Sequence, residues 1–120
     1  MDKIFKIIIL VSFISSFVCC KGQNCEILDD NFESYKVAIQ TLKSTKFNFS
    51  EKLNTSKSSW IYDAEYYSCD GENGFLLITT KTKTYIHRNV PIKIWNEFKK
   101  AESFGSFYSG NIKSRYQLIL

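Results

Sequence analysis

The chain has 120 residues and a formal net charge of +4 at pH 7. Apart from an N-terminal leader, it is long enough for one small domain and too short for two. Aromatic residues make up 16% of the chain, which has only 5 Gly and 1 Pro, so the composition excludes a disordered tail.

The N-terminus has the pattern of a secretory signal peptide. Lys3 and Lys6 precede an apolar run at residues 7–20, which is too short to span a bilayer as a helix. Cleavage after Gly22 would give a mature chain that begins at Gln23. We therefore expect the protein to be secreted, or to reside in the periplasm or cell envelope.

A lipid-anchored envelope protein is the alternative to this soluble form. In that case Cys19 or Cys20 would carry the lipid, as in bacterial lipoproteins. Val18, however, stands where Gly, Ala or Ser usually precedes the modified cysteine. The soluble form is favoured, and membrane attachment is expected only if Cys19 or Cys20 is lipidated.

The mature chain keeps two cysteines, Cys25 and Cys69. An even number of cysteines in an oxidising compartment predicts a disulfide between them. The alternatives are a metal site and a redox thiol, and both are weakly supported. With a single His and no Cys-x-x-Cys motif, the sequence does not supply four closely spaced zinc ligands. We expect neither a metal nor a cofactor.

A helix is predicted after Asp29 or Asp30, either of which could cap its N-terminus. Its apolar residues recur at spacings of three and four, which places them on one face. These residues are Phe32, Tyr35, Ile39 and Leu42. Because no Pro- or Gly-rich linker follows, the helix is expected to pack on the rest of the domain.

Strands are predicted in the centre of the chain. Phe47 and Phe49 alternate with polar neighbours, as expected of a short strand. A meander of three strands follows: Trp60–Cys69, Phe75–Thr80 and Thr84–Arg88. Glycines in the first connection can adopt positive φ and close a hairpin. The middle strand is apolar on both faces at its start, as a central strand would be.

Helices are predicted at the C-terminal end. Pro91 suits the first turn of a helix, where its missing N–H loses no hydrogen bond. The apolar stripe of that helix comprises Ile94, Trp95, Phe98 and Ala101. Gly105 interrupts it, and three residues at steps of four then suggest one more short helix. These three are Tyr108, Ile112 and Tyr116.

The predicted fold class is α+β. An N-terminal helix precedes a short antiparallel sheet, a three-stranded meander with a possible extra strand, and one or two C-terminal helices pack on this sheet. The chain divides into a signal peptide at 1–22, an N-terminal helix and short strand at 23–57, and a domain at 58–120. We expect a monomer.

The charges of the mature chain are segregated. Residues 23–80 have 5 Lys and 9 acidic residues, a balance of −4. Residues 81–120 have 8 Lys or Arg and 2 Glu, a balance of +6. The basic end could attract nucleic acid, anionic glycan or lipid headgroups. The alternative is a solvated helix face that carries Lys93, Lys99 and Lys100.

A set of short motifs follows a fixed order in the C-terminal half. In chain order they are Trp60-Ile61, Tyr66-Tyr67, Gly71 to Gly74, Tyr85-Ile86-His87, Val90-Pro91, Ala101, Ser103, Gly105, Ile112 and Tyr116. This order resembles the KTSC domain, which is named for the C-terminal extension of some lysyl-tRNA synthetases. In that family a Tyr-x-Tyr precedes the Val-Pro helix, and here His87 replaces the second Tyr. The resemblance implies a compact single domain for which nucleic-acid binding is proposed and no chemistry is established.

Catalysis is not expected. His87 is the only histidine, and no nucleophile elbow, zinc-protease motif, phosphate loop or dinucleotide fingerprint occurs. A non-catalytic binding or interaction module is favoured, whose partner would be an anionic polymer or an envelope protein. An RNA-binding domain is the alternative. Aromatic and basic residues that could form the binding site are Tyr85, His87, Arg88, Lys113, Arg115 and Tyr116.

Overall fold

The computed structural model describes residues 23–29 and 31–119. The predicted signal peptide at 1–22, with its cleavage site and Cys19 and Cys20, lies outside the described residues, as does Asp30. None of the helices within the described ranges is both long enough and apolar enough to cross a membrane.

The predicted α+β class is confirmed. The strands are β1 Gln23–Asn24, β2 Thr45–Lys46, β3 Phe49–Leu53, β4 Ile61–Ser68, β5 Asn73–Thr80 and β6 Thr84–Pro91. The helices are α1 Tyr35–Ser44, α2 Ile92–Lys100 and α3 Phe104–Phe107. A short 3₁₀ turn lies at Cys25–Ile27, and a π-helical turn at Tyr108–Ile112 continues α3.

The main sheet is an antiparallel meander in the order β3-β4-β5-β6, so β3 is the possible extra strand that the sequence indicated. β1 and β2 form a separate parallel pair. Since β5 is a central strand, its side chains are buried on both faces. Leu76 and Ile78 belong to one hydrophobic core, and Leu77 belongs to another.

Helices cover both faces of the sheet. On one face, here the α2 face, α2, α3 and the π-helical turn bury Trp95, Phe98 and Ile112 against the sheet. On the opposite face, the α1 face, α1 buries Ala38 and Leu42. The sheet is therefore the middle layer of three, and its two faces present different surroundings.

The predicted Asp cap of α1 is wrong, since Ser34 is the residue at the N-cap. The Ser34 hydroxyl accepts a hydrogen bond from the Val37 N–H at 3.2 Å. Asp29 instead accepts one from the Asn31 N–H, in a local turn before the helix. The cap requires an oxygen next to the first turn, and Ser34 directly precedes that turn whereas Asp29 does not.

The apolar face predicted for α1 is confirmed for three of its four residues. Tyr35, Ile39 and Leu42 all contribute to the core of the α1 face. Phe32 packs on the same core from the segment before the helix.

Phe47 and Phe49 do not share one side of a strand, contrary to the alternation in the sequence. Phe49 begins β3 and packs on Tyr66 in the core of the α2 face. Phe47 precedes the strand and packs on Tyr67 on the other face. Asn48 lies in a bend between them, and its amide donates to the Cys69 carbonyl at 2.6 Å.

The predicted start of α2 is displaced by one residue. Pro91 ends β6 and forms the N-cap of α2, which begins at Ile92. The prediction that Gly105 interrupts this helix is also wrong, because α2 ends at Lys100 and Gly105 lies inside α3. The apolar stripe is confirmed, with Trp95 and Phe98 fully buried.

The predicted disulfide is present. Cys25 and Cys69 are bonded, with their Cα atoms 5.8 Å apart. The bond joins the N-terminal segment to the end of β4.

The C-terminal segment extends along the outer edge of β6. The Arg88 N–H donates to the Gln117 carbonyl at 3.4 Å, and the Ile119 N–H donates to the Ile86 carbonyl at 3.0 Å. The Ile119 side chain is buried in the core of the α1 face. We call Gln117–Ile119 the edge segment.

Candidate functional site

A cavity of about 270 Å³ lies at the end of the β5–β6 hairpin, on the α2 face. Its lining combines aromatic, lysine and threonine side chains, and we call it the aromatic–lysine cavity. The lining residues are Trp60, Thr80, Lys81, Thr82, Tyr85, Tyr108 and Lys113. They come from the residue before β4, the end of β5, the β5–β6 turn, β6 and the C-terminal helical region.

Trp60 presents a large aromatic surface at this cavity. This residue is 40% exposed, whereas the other tryptophan, Trp95, is fully buried. The indole packs directly on Gly105, where a Cβ atom would lie only 2.8 Å from the Trp60 Cε2. Its ring also makes an edge contact with Tyr108, at 5.9 Å between centroids. Trp60 is therefore held in one orientation by its neighbours.

A chain of buried hydrogen bonds positions Tyr108, one of the residues that line the cavity. His87 is fully buried, and its Nδ1 lies 3.2 Å from the Tyr116 carbonyl oxygen. Since a carbonyl only accepts, Nδ1 carries the ring proton. Nε2 is then an acceptor, and the Tyr108 hydroxyl donates to it at 2.8 Å. His87 thus fixes the position of Tyr108.

Burial keeps both members of this pair neutral. It lowers the pKa of the His87 imidazole below its usual value, outweighing the opposite effect of the bond to Tyr116. It also raises the pKa of the Tyr108 hydroxyl to about 12. At neutral pH the histidine is uncharged and the tyrosine keeps its proton.

The charged groups of the cavity are cationic. Lys81 and Lys113 line it, and none of the Asp or Glu residues that the structure describes does so. Lys83 lies beside it, with its Nζ 4.8 Å from the centre of the Tyr85 ring. An anionic ligand would therefore meet lysines next to aromatic surfaces.

The structure brings together only some of the residues that the sequence singled out. Tyr85 and Lys113 line the aromatic–lysine cavity. His87 and Tyr116 are not among the lining residues, but they hold Tyr108 in place through the hydrogen bonds described above. Trp60, Lys81 and Tyr108 were not among the predicted binding residues. Trp60 directly precedes a Tyr-rich strand, but nothing in its spacing indicates the hairpin end that it faces.

Arg88 and Arg115 are placed differently. Arg88 lines a separate cavity of about 320 Å³ beside the disulfide, together with Phe47 and Phe75. Its guanidinium donates to the Gln117 side chain at 3.4 Å. Arg115 lies in the exposed turn after the π-helical segment. Ligand binding by either arginine stays a prediction.

Other kinds of site have less support. Within the described ranges, no group of three or more His, Cys, Asp and Glu side chains is arranged to hold a metal ion. Besides the cavity of about 320 Å³ next to the disulfide, two others have volumes of about 490 and 410 Å³. Each of them has at least one Asp or Glu in its lining.

The fold and the cavity together define a small α+β domain with an aromatic, basic cleft. The model of the KTSC domain matches residues 57–116, which is half of the chain. The protein therefore belongs to the KTSC family.

The comparison with solved structures agrees. The chain is similar to a KTSC domain protein from Yersinia pestis whose crystal structure is known, at 30% sequence identity and a TM-score of 0.50. The similarity covers 58% of this chain and 94% of the Yersinia pestis chain. No curated protein matches the sequence. The aromatic–lysine cavity is built from the matched segment, whereas α1 precedes that segment.

Proposed function

We propose that this protein is an exported, non-catalytic module that binds an anionic polymer in the aromatic–lysine cavity. One observation carries the proposal: the exposed residue Trp60 lines the same cavity as Lys81 and Lys113, and none of the described residues of that lining is a carboxylate. An aromatic face can stack on a planar or cyclic unit of the polymer, while the lysines attract its charges.

The chemistry of the cavity supports binding rather than catalysis. The Tyr108 hydroxyl keeps its proton, since its pKa is about 12, and it directs that proton at His87. His87 is enclosed by protein, so its imidazole is positioned to hold Tyr108 rather than to meet a substrate. Lysines and aromatic rings contribute charge and contact area without a chemical step.

Export has separate support. The Cys25–Cys69 disulfide is the kind of bond that persists in oxidising compartments, outside the cell or in the periplasm. The leader pattern in the sequence favours the same location. Lipid anchoring at Cys19 or Cys20 is the alternative form of export.

The binding proposal is tested by a fluorescence titration. Because Trp95 is buried, a ligand that enters the cavity should alter the emission of Trp60. The probes are an oligouridylate, a double-stranded DNA and a polyuronate, each at two salt concentrations. We expect at least one to bind, with an affinity that falls as salt rises.

Variants link that binding to the cavity. Calorimetry should show that Trp60→Ala and Lys113→Ala each weaken binding, the former about tenfold, as for loss of one stacking contact. Lys93→Ala is the control, since this exposed lysine lies on α2 away from the cavity. Arg88→Ala and Arg115→Ala test the two arginines. If no probe binds at low salt, or if Trp60→Ala binds like the unaltered protein, the proposal is refuted.

A further inference from the structure

Another cavity, of about 430 Å³, lies on the other side of the β5–β6 turn. We call it the α1 groove, because four of its lining residues belong to α1. The lining comprises Tyr35, Lys36, Ile39, Gln40, Lys83 and Thr84. Since α1 precedes the segment that matches the KTSC model, this groove depends on residues that the chain adds to the family domain.

Lys83 connects the two cavities. Its Nζ lies 4.7 Å from the centre of the Tyr35 ring, in the α1 groove. The same atom lies 4.8 Å from the centre of the Tyr85 ring, which lines the aromatic–lysine cavity. An ammonium group held between two aromatic rings is positioned to contact an anion that passes from one cavity to the other.

The two cavities also share their electrostatic character. Lys81 and Lys113 line the first, and Lys36 and Lys83 line the second. Among the described residues, no carboxylate lines either of them. The acidic loop that contains Asp70 connects β4 to β5, so it lies at the opposite end of β5 from the β5–β6 turn. The turn therefore lies between two cavities whose charged lining residues are lysines.

We infer that a single-stranded nucleic acid crosses the β5–β6 turn and occupies both cavities, with the α1 groove as a second binding subsite. This inference rests on the proposed binding function. The aromatic surfaces on the two sides of the turn can stack on bases of any sequence, and Lys83 lies between them where a phosphate would pass.

The lining of the aromatic–lysine cavity favours a nucleic acid over a glycan. Sugars are held through their many hydroxyl groups, usually by carboxylate or amide side chains. The lining of the aromatic–lysine cavity provides lysines, threonines and tyrosines, with neither of these groups among its described residues. Base stacking needs only an aromatic face, which Trp60 supplies. The small volume of the cavity suits one unpaired base rather than a duplex.

The test compares oligouridylates of two and ten nucleotides, with affinities measured by calorimetry over a range of salt. Lys36→Ala and Lys83→Ala alter the α1 groove, and both lysines are exposed, so these variants should fold. We expect each to weaken binding of the ten-nucleotide probe and to reduce its salt slope by about 0.7, the value for one lost phosphate contact. For Lys36→Ala, binding of the two-nucleotide probe should be unchanged.

The remaining outcomes separate this inference from the proposed function. If Trp60→Ala and Lys113→Ala weaken binding while Lys36→Ala and Lys83→Ala match the Lys93→Ala control, the second subsite is refuted and the proposed function stands. If the polyuronate binds more tightly than the ten-nucleotide probe at equal ionic strength, the nucleic-acid assignment is refuted. If no anionic polymer binds, both proposals fail.

Discussion

Gly105 determines how Trp60 is presented to the cavity. A Cβ atom at this position would overlap the indole, whereas a Cβ at Gly110 would meet nothing within 4 Å. Both glycines lie in the C-terminal helical segment. An alanine at either position changes helix propensity, but only an alanine at position 105 would also meet Trp60, so the two variants form a matched pair.

We predict that Gly105→Ala displaces Trp60 and lowers the free energy of unfolding by about 1–3 kcal/mol, the usual cost of overpacking. Its fluorescence spectrum should change because the indole has moved. Gly110→Ala should be neutral or stabilise by up to about 1 kcal/mol. Denaturant unfolding of both variants checks this, and equal effects from the two would contradict a specific role for Gly105.

His87 links stability to pH. Burial lowers the pKa of its imidazole in the folded state, so the unfolded chain binds a proton more readily. The stability that His87 contributes is therefore complete at pH values above the imidazole pKa of the unfolded chain, about 6.5. It is lost as the pH falls towards the lower pKa of the folded state. The protein has only one histidine, so this window reports a single imidazole.

We predict that the free energy of unfolding decreases between pH 7 and pH 5. In His87→Gln, whose amide can still bond Tyr108 and Tyr116 but does not titrate, this decrease should be much smaller. The carboxyls of Glu51 and Asp70 have lowered pKa values, so their effects belong to more acidic conditions. Urea unfolding of both proteins across this range is the measurement, and identical pH profiles would disprove the assignment.

At the scale of elements, a buried indole ties the edge strand β3 to α2. The Trp95 Nε1 and the Lys99 Nζ each donate to the Glu51 carboxylate at 2.7 Å. The hydrogen bonds from Lys99 and then Trp95 are the main causes that lower the pKa of Glu51. Since β3 pairs with β4 on one side only, these contacts help to hold it in place.

The Cys25–Cys69 disulfide likewise helps to hold the N-terminal segment in place. The two cysteines are separated by 44 positions in the sequence, and the loop that their bond closes includes α1, β2 and β3. The chain-entropy model gives such a loop about 4 kcal/mol of stabilisation, because the cross-link restricts the unfolded chain.

We predict that Cys25→Ala/Cys69→Ala lowers the free energy of unfolding by about 4 kcal/mol. Reduction of the unaltered protein with dithiothreitol should have a comparable effect. Thermal unfolding monitored by circular dichroism, with and without reductant, checks both. The double variant should itself be insensitive to the reductant, and a loss below about 1 kcal/mol would show that the cross-link adds little.

For the molecule as a whole, periodicity in the sequence predicted the order of its elements. The apolar face that contains Tyr35 and Leu42, the central strand at Leu76–Ile78 and the stripe of Trp95 and Phe98 all agree with the structure. These patterns succeed because a buried face imposes a regular spacing on apolar residues.

The candidate site was harder to predict because it depends on tertiary contacts. Tyr85 and Lys113 were predicted, but Trp60 reaches the cavity because the pairing of β4 with β5 places Ile61 opposite Thr80, next to the β5–β6 turn. Arg88 follows His87 by one residue and lies on the opposite side of the strand, as alternation along a strand requires. Ser34 replaced the acidic residues as cap because cap geometry depends on where the helix begins.

The edge segment Gln117–Ile119 lies beyond the residues that match the family model. It occupies backbone groups of β6 that would otherwise face solvent at a sheet edge. Unpaired edges recruit further strands, so we expect this segment to protect the protein from aggregation.

The segment that matches the family model ends at residue 116, and we therefore expect it to be shorter than the chain that is needed for solubility. We predict that a chain ending at Tyr116 self-associates with rising concentration, whereas Ile119→Ala, which keeps the backbone pairing, is less stable but remains monodisperse. Analytical ultracentrifugation distinguishes the two, and a monodisperse truncated chain would show that the bare edge is tolerated. Anyone who isolates this domain by its family boundaries would then lose the segment that keeps it in solution.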